Sequence, residues 1–272
     1  MIQVENCQLL VSCCNQNGGL YLLDFKDKQY DLIKILDVEC RGIVKYGKYF
    51  LVVSNSEGIF ILDDKLKIIK QKTSHKGLDY HGAAIKNDMA FIVETGTNSI
   101  GVYDLRKDLL KIDEIRFSPN KITDVCHVND LFIVDDSLFV SMFSYPNHSA
   151  DGGVIIEYSL KDRKIINFIY EKLSQPHSVL FHNNHLYYCN SVKFTVHQND
   201  KEIFKSLGYT RGLAIHKQTM FIGQSESRHL DKLLKDHTNI LFECGIYVHN
   251  LTTKLSSFIS LPSSEVYGIL II

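Results

Sequence analysis

One phrase returns five times along this chain: a polar residue, a short apolar strand, a tight turn, a second strand, and then further strands. The copies open at Arg41 (RGIVKYGKYFLVVSNSEGIFILDDKLKII), His81 (HGAAIKNDMAFIVETGTNSIGVYDLRKDLLKI) and His127 (HVNDLFIVDDSLFVSMFS, resuming at GGVIIEYSLKDRKII). Two more open at His177 (HSVLFHNNHLYYCNSVKFTVHQNDKEIF) and Arg211 (RGLAIHKQTMFIGQSES, resuming at CGIYVHNLTTKLSSF). Their starts lie 40, 46, 50 and 34 residues apart, the spacing of four-stranded propeller blades. A sixth copy is divided between the ends. The chain finishes with YGILII from Tyr267, a first strand with nothing after it, and begins with QLLVSCCNQNGGLYLLDFKDKQYDLIKI, which supplies three more. Joining them closes a ring and removes the open sheet edge. The reading is an all-β, six-bladed β-propeller, a single domain over residues 1–272, its last blade completed by the C-terminal strand beside the N-terminal strands. A β-sandwich or β-helix is the competing architecture, and the regular period with its split last copy argues against both.

The strands are rich in Val, Ile, Phe and Tyr and end at Asn, Asp, Gly or Lys turns, as half-buried pleated segments should. Helical periodicity shows only at 229–237, HLDKLLKDH. With 45% hydrophobic and 22% charged residues the chain is an ordinary globular composition, which excludes disorder. Lys+Arg 30 against Asp+Glu 31 leaves a net charge of -1, so no basic field invites nucleic acid or an anionic membrane. The N-terminal MIQVENCQLLVSCC has no basic run before its apolar stretch and does not read as a signal peptide. No apolar run is long enough for a membrane helix. Seven cysteines, an odd number, sit mostly within apolar strands and form no CxxC pair, which suits buried free thiols in a reducing compartment. A cytoplasmic protein is expected. P-loop, GxSxG and GxGxxG motifs are missing, so nucleotide cradling and serine-esterase chemistry have no support. Trp is 0 and no WD signature occurs, so a WD40 scaffold has none either.

In a propeller the first strand of each blade lines the central channel and the second runs back beside it. The start of the first strand and the end of the second therefore share one face of the disc. The first strands open with Arg41, His81, His127, His177, Arg211 and Tyr267, and the second strands close near Asn15, Asn55, Glu94, Ser144, Asn190 and Ser225, with Asn98 and Arg228 shortly after. Two polar rings are expected to meet at one mouth. Two long connections emerge there, Tyr145 to Asp151 and Arg228 to Glu243, as lids, binding loops or simple surface cover.

Three histidines at equivalent repeat positions, His81, His127 and His177, suit a divalent transition metal such as Mn, Fe, Zn, Ni or Cu. Two other readings stand beside this one. Axial histidines can hydrogen-bond water and backbone in a polar channel, or one can act as a general base without metal. Arg41 and Arg211 each present a planar fork for a carboxylate, phosphate or sulfate. Glu94 is either their partner, a further metal ligand, or a catalytic acid or base. Asp124 and Asp130 bracket His127, and one of them could orient its imidazole from behind. Asn55, Asn98, Asn129, Asn190, Arg228 and Tyr267 complete the expected substrate-binding rim. His182, His185 and His216 fall in turns on the opposite face, and His148, His229 and His237 in the two long connections.

The phrases CHVND, QPHSVLFHNNHLYYCNS, YTRGLAIHKQTMFIGQSESR, CGIYVHNLTT and EVYGILI resemble a bacterial family of uncharacterised propeller-like proteins. That family carries Cys-His-x-Asn, Pro-His-Ser, Leu-Arg-Gly-Leu-Ala, a Cys-Gly strand start and a Glu-x-Tyr-Asp ending in the same order. The resemblance runs from His81 onward and implies that His127, Asn129, His177, Ser178, Arg211 and Gly212 occupy the motif positions. The chain departs from the pattern at Asp130, at Gly268 and in ETGTNS. The family brings no activity with it.

The function expected from these residues is a metal-dependent lyase, isomerase or hydrolase of carbohydrate metabolism. It would act on a small anionic metabolite such as a carbohydrate acid, with the metal on the three histidines and the two arginines clamping the anion. The alternatives are a non-catalytic propeller that binds a glycan, peptide or protein partner, and a scaffold that assembles through its rim.

Overall fold

The computed structural model describes residues 4–73, 75, 77–119, 123–146, 152–226 and 237–272. They form six four-stranded antiparallel sheets, the blades of an all-β propeller. In chain order the strands that open the sheets are Ile43–Tyr46, Tyr80–Lys86, Val128–Val134, Pro176–His182, Tyr209–His216 and Glu265–Ile271. The last of these heads the sheet continued by Cys7–Cys14, Gly19–Lys26 and Gln29–Leu36. The C-terminal strand pairs antiparallel with the N-terminal one, Leu9 opposite Ile271 and Cys14 opposite Glu265. Gly268 N–H donates to Ser12 Oγ at 2.9 Å, and Ile272 N–H donates to the Gln8 carbonyl at 3.0 Å. The divided sixth copy thus becomes one blade.

Local chemistry accounts for the meander. Paired positive-φ residues, Asn87 with Asp88 and Asn183 with Asn184, make the two-residue turns between first and second strands. Such turns match the strand twist, and Asn and Asp enter the left-handed region at little cost. The middle strands read as nearly continuous apolar runs because both of their faces are covered. Leu9, Leu10 and Val11 are all fully buried on adjacent positions of one strand. The outermost strands are mostly exposed or half-buried instead, and leave Tyr30, Ile33, Ile69 and Ile112 at the surface.

The chain divides into two compact units, residues 1–40 with 182–272, and residues 41–181. In the second, Ile100, Val102 and Phe117 of one sheet interdigitate with Val128, Val140 and Ile156 of the next, and a second cluster joins Leu51, Val53 and Ile59 to Tyr80, Ile92 and Tyr103. Close approach of first strands there depends on Gly42 and Gly82. A Cβ on Gly42 would lie 2.6 Å from the His81 carbonyl, and one on Gly82 would lie 2.4 Å from Asp130 Oδ1. In the first unit the closing sheet packs on the 209–260 sheet through Leu9, Val11, Tyr21, Phe221, Ile246 and Val266. No helix among the described residues is long and apolar enough to cross a membrane. All seven cysteines are free, six of them buried.

Candidate functional site

Four of the first strands carry β-bulges, and there the bulges aim the polar residues. In Tyr80–Lys86 the register against Met89–Glu94 breaks between Tyr80 and Ala83, which sets His81 and Gly82 together against Val93. In Val128–Val134 the break falls between Val128 and Asp130, at Asn129. In Tyr209–His216 it falls between Thr210 and Leu213, at Arg211 and Gly212. In the closing sheet Ser12 faces Gly268 and Cys13 faces Val266, so Tyr267 is the extra residue. A bulge re-aims a side chain without ending the ladder. This corrects the register expected for the third repeat. The residue equivalent to His81 is Asn129, and His127 lies just before its strand with φ 46.

Within residues 41–181 the cluster begins at Arg41. Its Nη1 donates to Asp79 Oδ1 at 2.8 Å and to the Tyr80 carbonyl at 3.2 Å, and lies 2.9 and 3.1 Å from the two ring nitrogens of His81. The Asp79 carbonyl sits 3.0 Å from His81 Nδ1. A carbonyl only accepts, so Nδ1 carries the proton, and the guanidinium lies against the ring close to both nitrogens. The carboxylate partner of Arg41 is therefore Asp79, which sequence reasoning had not singled out although it stands two residues before His81.

His127 is built differently. Asp124 Oδ1 accepts its backbone N–H at 2.7 Å, and Asp124 Oδ2 lies 2.5 Å from Nδ1. The imidazole is one-third exposed, with Nδ1–H on the carboxylate and Nε2 left as the acceptor. Asp124 is thus the acid behind the imidazole, and Asp130 turns to its own strand, accepting the Leu131 N–H. The loop that holds Asp124 is pinned by Asn98. Its Oδ1 accepts Val125 N–H and Cys126 N–H at 2.9 Å each, and its Nδ2 donates to the Thr123 carbonyl at 2.8 Å. Asn98, expected at the rim, is fully buried; it fixes the loop, with its backbone in the left-handed region that Asn tolerates. Burial, and then the Asp124 charge, push the neighbouring Cys126 thiol up to about 12, so it is no thiolate nucleophile.

The Phe143 ring stacks on His127 with centroids 4.2 Å apart and meets His177 edge-on at 5.1 Å. His81 and His127 are 5.5 Å apart in a T-shaped arrangement. His177 Nδ1–H donates to the Gln175 carbonyl at 2.9 Å, and its Nε2 accepts from Asn129 Nδ2 at 2.8 Å. The three histidines are thus linked by ring contacts, His81 to His127 directly and His127 to His177 through Phe143. No group of three or more His, Cys, Asp and Glu side chains among the described residues is arranged to hold a metal ion.

Glu94 turns the other way. It is fully buried inside its own blade, accepting from Tyr103 Oη at 2.6 Å, Lys111 Nζ at 2.7 Å and Ser99 Oγ at 3.2 Å. It meets Lys111 and not an arginine. In the other unit, Arg211 Nη1 donates to Glu265 Oε2 at 2.9 Å and its guanidinium lies 4.6 Å from the Tyr267 ring centre. Glu265 Oε2 also lies 3.6 Å from Cys14 Sγ. Burial works against the Arg211 charge, but Cys14, Glu265 and the tyrosines around it hold its pKa above the ordinary value. Its buried Nε has no hydrogen-bond partner among the described residues. Asn55 and Asn190 are half-buried where their second strands end. Arg228, His148, His229 and most of both long connections lie outside the described residues. His237 is described, and it stacks on Phe194 at 3.8 Å with Nε2 on the Val192 carbonyl. Sequence reasoning missed Asp79, Phe143 and Glu265. The first two follow or precede strands by one or two residues, where alternation gives no signal. Glu265 could have been found as the acid two residues before Tyr267.

A six-bladed propeller with this cluster at its bulged first strands defines the class. The chain belongs to the family described as a domain of unknown function, DUF4915, whose model matches residues 56–272. No curated protein matches the sequence. Among solved structures the chain is similar to a protein of unknown function from Bacteroides caccae, with a TM-score of 0.71 at 12% identity over 98% of this chain and 99% of that one. It is also similar to a chain of a nidogen/laminin complex, with a TM-score of 0.69 at 11% identity over 97% of each. A third likeness is to a putative 6-phosphogluconolactonase from Bacteroides fragilis, with a TM-score of 0.59 at 12% identity over 98% of each chain. At these identities the likeness is one of fold, and the fold serves enzymes and binding proteins alike.

Proposed function

We propose that this chain is a proton-transfer enzyme, a lyase, isomerase or hydrolase acting on a small anionic metabolite such as a carbohydrate acid. His127 is its general base and Arg41 the cation that meets the anionic group. The observation that supports this reading is the pairing of His127 with Asp124, which accepts from both the backbone N–H and Nδ1. A carboxylate on Nδ1 selects the tautomer whose Nε2 lone pair points away, and it stabilises the imidazolium that forms once Nε2 has taken a proton. Microscopic reversal returns that proton to a leaving group. Arg41, already on Asp79, would exchange part of that contact for the ligand's carboxylate or phosphate.

Metal dependence is a second reading, favoured by the 5.5 Å separation of the His81 and His127 rings. It would require Arg41 to turn away from His81 and His177 to release Asn129. Glu94 and Arg211, expected from the sequence to be catalytic, meet Lys111 and Glu265, and this reading assigns them no step.

The test uses tag-free protein, screened by thermal shift and by NMR of the small molecule against sugar acids and sugar lactones. Turnover is expected in the wild type. His127→Ala should bind without turnover, and Asp124→Asn should lose about 10²–10⁴-fold in rate, the range for a general base held in the wrong tautomer. Turnover by His127→Ala at the wild-type rate would refute the proposal. Binding without turnover in every protein would favour the non-catalytic module that takes a glycan, peptide or protein. Metal analysis of the same protein decides the second reading, since near-stoichiometric metal lost in His81→Ala is its expected result.

A further inference from the structure

We infer that Phe143 is a positioning residue that fixes the plane of the His127 imidazole; the inference rests on the reading of His127 as the base. Asp124 holds only one edge of that ring, at Nδ1. A ring held at one edge still turns about its Cβ–Cγ bond, and Nε2 sweeps an arc as it does. Phe143 removes that freedom from the face. The two rings are 4.2 Å apart and inclined by only 28°. On its far side Phe143 abuts the edge of His177 at 5.1 Å, and His177 is itself fixed at both nitrogens by Gln175 and Asn129.

The main chain of the same residue holds the loop. Phe143 N–H donates to the Cys126 carbonyl at 3.0 Å and to the His127 carbonyl at 3.3 Å, and Ser144 N–H donates to Cys126 at 3.1 Å. His127 stands at φ 46, a conformation that persists in a non-glycine residue only where its surroundings over-determine it. Asn98 on one side and Phe143–Ser144 on the other supply that constraint. The elements are a base, a carboxylate at its edge, an aromatic ring on its face, and a clamped loop beneath. Preorganisation of this kind matters because displacement of a reacting group by about 1 Å costs on the order of 10²-fold in rate.

The experiment reads the imidazole itself, in the intact chain and without any substrate. Histidine side-chain NMR of the wild type is expected to show His127 in one tautomer, protonated at Nδ1, with its ring C–H signals displaced upfield by the stacked Phe143 ring. Phe143→Tyr keeps the ring and should keep both features. Phe143→Leu keeps most of the volume and should lose the upfield displacement and show averaged nitrogen signals, with Phe143→Met as a second ring-free variant should the leucine variant fail to fold. Unchanged His127 signals in a folded ring-free variant would overturn the inference. So would equal changes in the tyrosine and leucine variants, or a wild type without the displacement. The His127→Ala turnover assay fails or succeeds independently of these signals, so the two proposals can be told apart.

Discussion

Replacing Glu94 separates a catalytic carboxylate from a structural one. Its side chain is fully buried, and its three donors are Tyr103 Oη, Lys111 Nζ and Ser99 Oγ. Gly101 makes the room, since a Cβ there would sit 2.3 Å from Glu94 Oε1. Glu94→Gln conserves the shape. Its amide oxygen can still accept from Tyr103, but its NH2 then faces the Lys111 ammonium, donor against donor. Lys111, one-third exposed, can turn to Glu114 at 3.2 Å and to water, so the cation is not stranded. The loss is one charge-assisted contact of about 1.5–3 kcal/mol. Lys111→Met should cost more, about 3–5 kcal/mol, because it leaves the buried carboxylate without its cation. The double variant Glu94→Gln with Lys111→Met should fall short of the sum of the two. The chain has no Trp, so urea unfolding is followed by far-UV circular dichroism. Losses below about 0.5 kcal/mol in both single variants would mean that the pair does not hold in solution. A Glu94→Gln protein of full stability that has lost ligand binding would return Glu94 to the site.

Further outcomes follow from the same contacts. His249 is buried with Nε2 unpartnered among the described residues, and burial, then Lys254, hold its pKa below the ordinary imidazole value. The folded form keeps it neutral while the unfolded chain protonates first, so its contribution is present above the ordinary imidazole pKa and is lost as pH falls through the folded one. Thermal unfolding should weaken from pH 7 toward pH 5, and His249→Phe should flatten that slope; a slope unchanged in the variant would refute the assignment. Gly82→Ala places a Cβ 2.4 Å from Asp130 Oδ1 and 2.9 Å from its Cα. It should cost about 1–3 kcal/mol in unfolding free energy by overpacking, and a neutral result would show that the first strands can part. Arg211→Met takes the guanidinium away from the buried Glu265 carboxylate, with an expected loss of about 3–5 kcal/mol. Glu265→Gln with Arg211→Met should recover part of it, and no recovery would mean that the pair is not coupled.

Much of the architecture was legible because a propeller repeats a simple phrase. The turn pairs at Asn87–Asp88 and Asn183–Asn184 and the unbroken apolar middle strands mark each blade. The split copy at Tyr267 predicts the pairing of Leu9 with Ile271. What alternation cannot carry is a bulge. One extra residue shifts the face of everything before it, so the phrase CHVND gave His127 where the strand uses Asn129. Parity also misplaced Glu94. Read as the polar end of a strand, it belongs at the rim, but its side chain lies among Tyr103, Ser99 and Lys111 of the next two strands.

The recurrence of histidine itself has a local cause. His81 donates from Nδ1 to the carbonyl of Asp79, and His177 donates from Nδ1 to the carbonyl of Gln175, each two residues upstream. Both residues sit at the start of a first strand, where a carbonyl of the approaching chain has a lone pair to fill; that of Asp79 also accepts the Thr95 N–H at 3.1 Å. An imidazole meets that need and still presents a second nitrogen, which a hydroxyl could not do at the same reach. In one blade Arg41 lies 3.1 Å from that nitrogen, and in the other Asn129 meets it at 2.8 Å. Equal spacing in the sequence therefore reports a shared backbone device. His127, which lacks that i−2 bond and takes Asp124 instead, is the histidine of the three that the shared backbone device does not explain, and that is why the proposed base is sought there.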